Sequence, residues 1–177
     1  MFVLRKLVPA IALIIFLGSS LATQAQVNPR LVKEIRHELV TLPYYGVFDW
    51  LEFEVQGDTV VLRGQVVRPT TKSDAAARIK DVDGVSKVVN QIEVLPLSPN
   101  DDRLRIATYR AIYGTNSPLF RYAHQAVPSI HIIVNRGHVT LEGVVSSKMD
   151  SRLAYIAARG VPEVFSVTNN LRIERED

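Results

Sequence analysis

The chain has 177 residues, of which 47% are apolar and 22% are charged, and its formal net charge is +3. This composition is typical of a folded globular protein and excludes a disordered or fibrous chain. The sequence contains no cysteine, which excludes disulfides, a cysteine nucleophile and attachment of a lipid to an N-terminal cysteine.

The first 25 residues have the three-part order of a secretory signal peptide. Arg5 and Lys6 precede eleven apolar residues, and small and polar residues follow. Eleven apolar residues are too few to cross a bilayer core, which needs about 20 in a helix. We therefore predict a signal peptide over residues 1–25, cleaved after Ala22 or Ala25, and export to the periplasm. Its loss leaves 19 basic and 18 acidic residues, so overall basicity does not indicate a nucleic-acid partner.

An amphipathic helix is predicted directly after this segment. Asn28 supplies an N-cap, and Pro29 fits the first helical position, where the missing N–H has no partner to lose. Leu31, Ile35 and Leu39 then recur at helical spacing and share one face. This pattern predicts a helix that packs its apolar face on a core.

A β-hairpin and a second helix come next. Leu51–Val55 alternates apolar and polar residues, a turn follows, and Val60–Val66 has the pattern of a second strand. The turn places Glu52 opposite Arg63 on the solvent face. Residues 71–74 have the pattern of a capping box, so we predict that a helix begins there.

The sequence repeats itself at a shift of 79 residues, which places Val55–Val94 on Val134–Ile173 without a gap. The matching residues occupy positions where a strand or helix period places a core or a turn. They include Val60, Leu62, Gly64 and Val66, which fall on Val139, Leu141, Gly143 and Val145, and Asn90, which falls on Asn169. Gly64 and Gly143 indicate a bulge or a close backbone approach in each copy.

The second copy is predicted to contain the same elements as the first. A helix runs from Asn100 through about Tyr113, and a capping-box pattern over residues 147–150 begins the next helix. The closing strands of the two copies are predicted over Lys87–Leu95 and Ser166–Glu174.

The sequence therefore predicts an α+β fold of two tandem α-β-β-α-β modules. Each module has a small three-stranded mixed sheet with two helices packed on it. We place the first module at residues 27–95, a short proline-rich linker at 96–100 and the second module at 101–175.

These residues resemble the BON domain family. The motif V-x-L-x-G-x-V, a helix of small residues and then G-V-x-x-V-x-N-x-I appear as Val60–Val66 and Gly84–Ile92. The second copy matches at Val139–Val145 and Val164–Leu171, but Glu163 replaces the glycine. The resemblance implies a periplasmic envelope protein, similar to osmotically inducible proteins, that binds phospholipid or membrane surfaces or serves as an interaction module. It implies no catalytic residue.

The sequence contains no converging set of catalytic or metal-binding residues. His124, His131 and His138 recur every seven residues, but they fall in a loop, on the outer face of a strand and at a turn. A metal site needs three or four converging ligands, so we predict no metal and no cofactor. Motifs for a serine nucleophile or a phosphate-binding loop are also absent from the sequence. We therefore predict that the protein is not an enzyme.

The first helix of the second module and the segment after it interleave arginines with aromatic residues. Arginine at lipid phosphates and amphipathic rings at the membrane boundary suit a headgroup interface. The candidate lipid or membrane contacts are Arg105, Tyr109, Arg110, Tyr113, Phe120, Arg121, Tyr122 and Phe165. An alternative is that the tyrosines cover the sheet or the neighbouring module. Phe165, whose counterpart is Ser86, either inserts into a membrane or packs on the other module.

Two functions follow from these observations. The first is weak association with anionic phospholipid through the second module. The alternative is a periplasmic protein-interaction or adaptor module for other envelope proteins, without lipid affinity. Nucleic acid is not an expected partner, because the sequence has no G-x-x-G loop and the chain is predicted to be exported.

Overall fold

The computed structural model describes residues 28–125 and 127–174. The predicted signal peptide therefore lies outside the described residues. The first module consists of two helices and four short strands. They are α1 (Pro29–Val40), β1 (Trp50–Gln56), β2 (Thr59–Val66), α2 (Pro69–Lys80), β3 (Lys87–Asn90) and β4 (Glu93–Val94). Asn28 caps α1 by accepting a hydrogen bond from the amide of Arg30 at 3.0 Å, as its position predicts.

The second module repeats this order and adds a 3-10 helix. Its elements are α3 (Pro99–Tyr113), the 3-10 helix (Pro118–His124), β5 (Ile130–Asn135), β6 (His138–Val145), α4 (Lys148–Arg159), β7 (Ser166–Asn169) and β8 (Arg172–Ile173). The hydroxyl of Ser98 caps α3 by accepting from the amide of Asp101. Helix α3 thus begins at Pro99, within the segment predicted as a linker.

Each module contains one mixed sheet, as predicted. In the first, β1 pairs with β2 in antiparallel fashion, while β3 and β4 both run parallel to β2. The second module has the same pairing. The predicted register is confirmed, since Glu52 lies opposite Arg63 and His131 opposite Glu142. Alternate strand residues face the helices and form the two cores. The α+β fold of tandem modules is therefore confirmed.

The closing strand of each module is broken at an asparagine. The side-chain amide of Asn90 donates to the carbonyl of Lys72 in α2, and its oxygen accepts from the amide of Ile92. Asn169 makes the matching bonds to the carbonyl of Ser151 and the amide of Leu171. Each asparagine thus ties a strand break to the helix above it, which explains why the motif contains this residue.

Gly64 and Gly143 each lie close to a backbone carbonyl oxygen at or just before the start of the neighbouring strand. Their φ angles are +119° and +117°. A Cβ atom on Gly64 would lie 2.0 Å from the carbonyl oxygen of Trp50, and one on Gly143 would lie 2.0 Å from that of Ser129. The close approach predicted from the sequence is confirmed in both modules.

One of the two predicted capping boxes is wrong. Helix α2 begins at Pro69, two residues before Thr71, and Arg68 at the N-cap makes no capping side-chain bond. A proline favours the first turn of a helix, and it moves the start upstream. In α4 the predicted helix start at Ser147 is confirmed, because its hydroxyl accepts from the amide of Asp150 at 3.1 Å; the carboxylate of Asp150 bonds that same hydroxyl.

Candidate functional site

The exposed edge of β5 is covered by side chains from α3. The hydroxyl of Tyr113 donates to the carbonyl of Ile130 at 2.7 Å and accepts from the amide of the same residue at 3.1 Å. Further along the strand, the guanidinium of Arg105 donates to the carbonyl of Val134 at 2.8 Å. These bonds occupy backbone groups that an edge strand otherwise offers to another chain.

The first module covers the same edge between these two points. The carbonyl of Val47 accepts a hydrogen bond of 2.7 Å from the amide of Ile132. Phe48 packs edge-to-face on Tyr109, with 6.2 Å between ring centroids, and lies against the core of the second module. The segment before β1 is therefore docked on the second module.

Tyr122 belongs to a hydrogen-bonded cluster at the start of α4. Its hydroxyl donates to the carboxylate of Asp150 at 3.0 Å and accepts from the amide of Ser146 at 2.9 Å. Arg121 donates to the same carboxylate at 2.6 Å. The cluster fixes the 3-10 helix against α4, which is a structural role.

Burial corrects the predicted set of membrane contacts. Arg105, Tyr113 and Tyr122 are buried, with exposed fractions of 3%, 3% and 7%. Their polar atoms form hydrogen bonds with the backbone of β5 and with residues at the start of α4, so they do not face the solvent. Membrane contact by these three side chains is inconsistent with this arrangement.

The remaining five predicted contacts do not lie together. Tyr109 is half-buried beneath Phe48, and Phe120 is half-buried with its ring 4.8 Å from that of His124. Phe165 is 74% exposed and lies over Gly137, at the start of β6. Arg121 lies beside Asp150, beyond the other end of that strand. Because eight strand residues span about 26 Å, Phe165 and Arg121 cannot share one small site. Arg110 is exposed on α3.

Arg110 belongs to an exposed surface that the sequence did not indicate as a unit. Helices α3 and α4 pack side by side over the inner face of the sheet. A groove between them, of about 530 Å³, is lined by both Arg110 and Ile156. A hollow along α3 joins Arg110 to Arg103 and Ile106, and it is also lined by Asp102, whose carboxylate is paired with Arg105. We call this surface the cationic helical face; its exposed residues are Arg103, Ile106, Arg110, Lys148, Met149, Arg152, Ile156 and Arg159.

This face combines large apolar side chains with cations that lack acidic partners. Ile106, Met149 and Ile156 are 43%, 59% and 65% exposed. None of the five basic residues of the face forms an ion pair with any residue that the structure describes. The face therefore presents exposed apolar side chains next to positively charged ones.

The first module provides an internal comparison. The 79-residue shift places Met149, Arg152 and Ile156 of α4 on exposed positions of α2 that carry small or polar residues, namely Thr70, Ser73 and Ala77. Along α2 no large apolar side chain is exposed. Comparison of the two copies was thus the sequence signal that could have identified this face.

The three regularly spaced histidines lie apart. His124 lies beside Phe120, His138 bonds the hydroxyl of Ser166, and His131 is buried beside Trp50. Within residues 28–125 and 127–174, no three histidine or acidic side chains are grouped as a metal site would require. No helix in those same ranges has both the length and the apolar character needed to span a bilayer.

A BON domain family model matches residues 49–96 and 119–175, which together make up more than half of the chain. No curated protein matches the chain. Two solved structures that are similar to it come from CdsD, a structural protein of the type III secretion system of Chlamydia trachomatis. One, of its C-terminal domain, is 11% identical, with a TM-score of 0.30, and the match covers 84% of this chain and 99% of that chain. The other is 12% identical with the same TM-score, and covers 84% and 94%. At this TM-score the likeness supports no functional inference.

Proposed function

Because the chain belongs to the BON domain family, we propose that it is a non-enzymatic cell-envelope protein that binds phospholipid membrane surfaces. In this proposal the contact is the cationic helical face of the second module, and the preferred lipids are anionic. The predicted signal peptide over residues 1–25 accords with a location in the periplasm.

The observation that carries this proposal is the exposure of Ile106 and Ile156 among unpaired arginines. A helix that lies at a membrane interface places apolar side chains at the acyl boundary and basic side chains at the phosphates. Arginine and lysine stems also cover apolar surface while their charged ends stay in water. The two packed helices present this arrangement without any conformational change.

Electrostatics sets the expected strength of binding. Each basic residue near an anionic surface contributes about 1 kcal/mol. Reversing three of them loses at least about 3 kcal/mol, so binding should weaken by at least about 100-fold. Salt should weaken it as well, since the charges are exposed and screened within about 10 Å at 0.1 M ionic strength.

Co-sedimentation with phospholipid vesicles tests the proposal. The mature protein should bind vesicles containing phosphatidylglycerol at low salt and bind pure phosphatidylcholine vesicles much less. The variant Arg103→Glu/Arg110→Glu/Arg152→Glu should lose this binding. The matched control is Lys33→Glu/Lys80→Glu/Lys87→Glu, which makes the same charge change at exposed, unpaired positions of the first module.

The control variant separates a defined face from a general attraction between charges. Equal loss of binding in both variants would contradict the cationic helical face as the contact. Absence of binding to phosphatidylglycerol vesicles at low salt would overturn the lipid function. That result would favour the adaptor alternative, in which the module binds other envelope proteins.

A further inference from the structure

A cleft of about 660 Å³ lies between the two modules, on the other side of the second module from its helices. Its floor comes from the outer face of the second sheet, and its wall comes from the end of α1 and from β1. Most of its lining is apolar or aromatic, including Leu39, Val40, Tyr45, Trp50, Val127 and Val144. This volume is in the range of sites that bind small molecules, about 300–1,000 Å³.

His131 lies in this cleft with an unsatisfied nitrogen. Its side chain alternates with the core residues Ile130 and Ile132, so it points away from the helices. The rings of Tyr45 and Trp50 flank it at 5.6 Å and 5.0 Å between centroids. Although His131 is only 6% exposed, its Nδ1 has no hydrogen-bond partner among the described residues.

A second buried polar atom lines the same cleft without a partner, the hydroxyl oxygen of Ser129. A buried polar atom that lacks a hydrogen bond costs about 1–3 kcal/mol. Burial lowers the pKa of His131, and the backbone of Asp49 and Gly46 opposes that change only in part. The imidazole is therefore neutral near pH 7, and its unprotonated nitrogen is a hydrogen-bond acceptor. The two unpartnered atoms, Nδ1 of His131 and Oγ of Ser129, are complementary to a ligand that carries hydroxyl groups.

Two arginines line the open side of the cleft. Arg36 from α1 and Arg172 from β8 also line an adjoining hollow of about 450 Å³. Neither forms an ion pair with a described residue. Neither Glu52 nor Glu142 lines the cleft itself, but Glu52 lines the adjoining hollow, and the charge of Arg172 acts on the carboxylate of Glu142. Within the lining of the cleft itself the charged side chains are these two arginines, and a phosphate would complement them.

We propose that the inter-module cleft binds one glycerol-based amphiphile with a single acyl chain and a phosphate. The acyl chain lies along the apolar wall, the phosphate lies between Arg36 and Arg172, and a glycerol hydroxyl donates to His131. This site does not depend on the proposed membrane contact, which is on the opposite face of the second module.

Tryptophan fluorescence reports on this cleft, because Trp50 is the only tryptophan of the chain and lines the cleft. Titration of the mature protein with lauroyl-lysophosphatidylglycerol, below the concentration at which that lipid forms micelles, should change Trp50 emission and saturate at one molecule per chain. Monolauroylglycerol, which lacks the phosphate, and laurate, which lacks both the glycerol and the phosphate, should bind at least tenfold more weakly. Absence of a saturable change, or equal binding of the three probes, would overturn the proposal.

Two variants distinguish this site from the cationic helical face. Arg36→Gln/Arg172→Gln should weaken the lysophosphatidylglycerol titration at least tenfold and leave vesicle binding unchanged. Arg103→Glu/Arg110→Glu/Arg152→Glu should do the reverse. All five arginines are exposed and unpaired, so circular dichroism should show folded variants. An unchanged titration in Arg36→Gln/Arg172→Gln would overturn the phosphate contact.

Discussion

The hydroxyl of Tyr113 bridges the amide and the carbonyl of Ile130, at 3.1 Å and 2.7 Å. One side-chain atom thus satisfies both backbone groups that this edge residue of β5 turns away from β6. The sequence places Tyr113 beside arginines at helical spacing, which suggests a surface residue. In the structure Tyr113 is buried against the edge of β5, so we expect it to contribute to the free energy of unfolding.

We expect Tyr113→Phe to destabilise the protein by about 1–3 kcal/mol, because two buried backbone groups lose their partner. Urea denaturation followed by circular dichroism measures this free energy. Tyr44→Phe is the control, since Tyr44 is 67% exposed and such surface changes usually stay within about 0.5 kcal/mol. Similar effects of the two substitutions would show that the bridge contributes little.

Glu163 has a backbone conformation that favours glycine. Its φ is +68°, and the equivalent Gly84 has a φ of +91°. A left-handed conformation costs a residue with a side chain about 1–2 kcal/mol, and the greater freedom of glycine in the unfolded chain offsets about 0.4–1 kcal/mol of it. We therefore expect Glu163→Gly to stabilise the protein by about 0.5–1 kcal/mol, measured as an increase in the urea midpoint.

The reciprocal substitution Gly84→Ala should destabilise the first module. No atom lies within 4 Å of the Cβ position at Gly84, so the effect would come from backbone conformation alone. Opposite signs at the two equivalent positions are the expected result. Destabilisation in both variants would contradict a glycine-type turn in the second module.

Asp150 should make stability depend on pH in the acid range. Burial alone would raise its pKa, but hydrogen bonds from Ser147 and Tyr122 and the charge of Arg121 outweigh burial and lower it. A carboxyl with a lowered folded-state pKa contributes stability above its unfolded pKa of about 3.9. That contribution is lost as the pH falls through the folded-state value.

We therefore expect Asp150→Asn to destabilise the protein by about 1.5–3 kcal/mol at pH 6, as for hydrogen bonds to a charged group. The difference from the parent protein should shrink as the pH falls to about 3 and below. Urea denaturation at a series of pH values measures it. A difference that is constant across this range would show that the carboxylate charge is not involved.

The fold was predictable because the two copies preserve the same core and turn positions. Val60 and Val139, Gly64 and Gly143, and the two motif asparagines constrain the same strand, close backbone approach and strand break in each module. The start of α2 was not predictable from the capping-box pattern alone. There, Pro69 competes with the pattern at Thr71 and sets the helix start.

The candidate site was less predictable, because helical spacing does not decide which side of a helix is buried. At helical spacing, Ile106 and Tyr113 fall on one side of α3, and Leu104 and Ala111 fall on another. In the structure Leu104 and Tyr113 are both buried, whereas Ile106 and Ala111 are exposed. Helix α3 covers both the sheet and the edge of β5, so its buried side is wider than one apolar stripe.

The inter-module cleft had no signal in the sequence. Trp50 and His131 are in different modules, and their contact depends on how the segment before β1 docks on the second sheet. Strand alternation correctly placed His131 on the outer face. The sequence does not indicate that the other module would cover that face.

Attachment of an environment-sensitive fluorophore to Ile156→Cys measures membrane contact most directly. The chain has no native cysteine, so one introduced thiol labels one site. Ala77→Cys is the matched control, because Ala77 is the exposed equivalent of Ile156 in the first module. Phosphatidylglycerol vesicles should shift the emission of the label at position 156 to shorter wavelength and leave the label at position 77 unchanged. An unchanged label at position 156, or an equal shift at both positions, would contradict membrane binding through the cationic helical face.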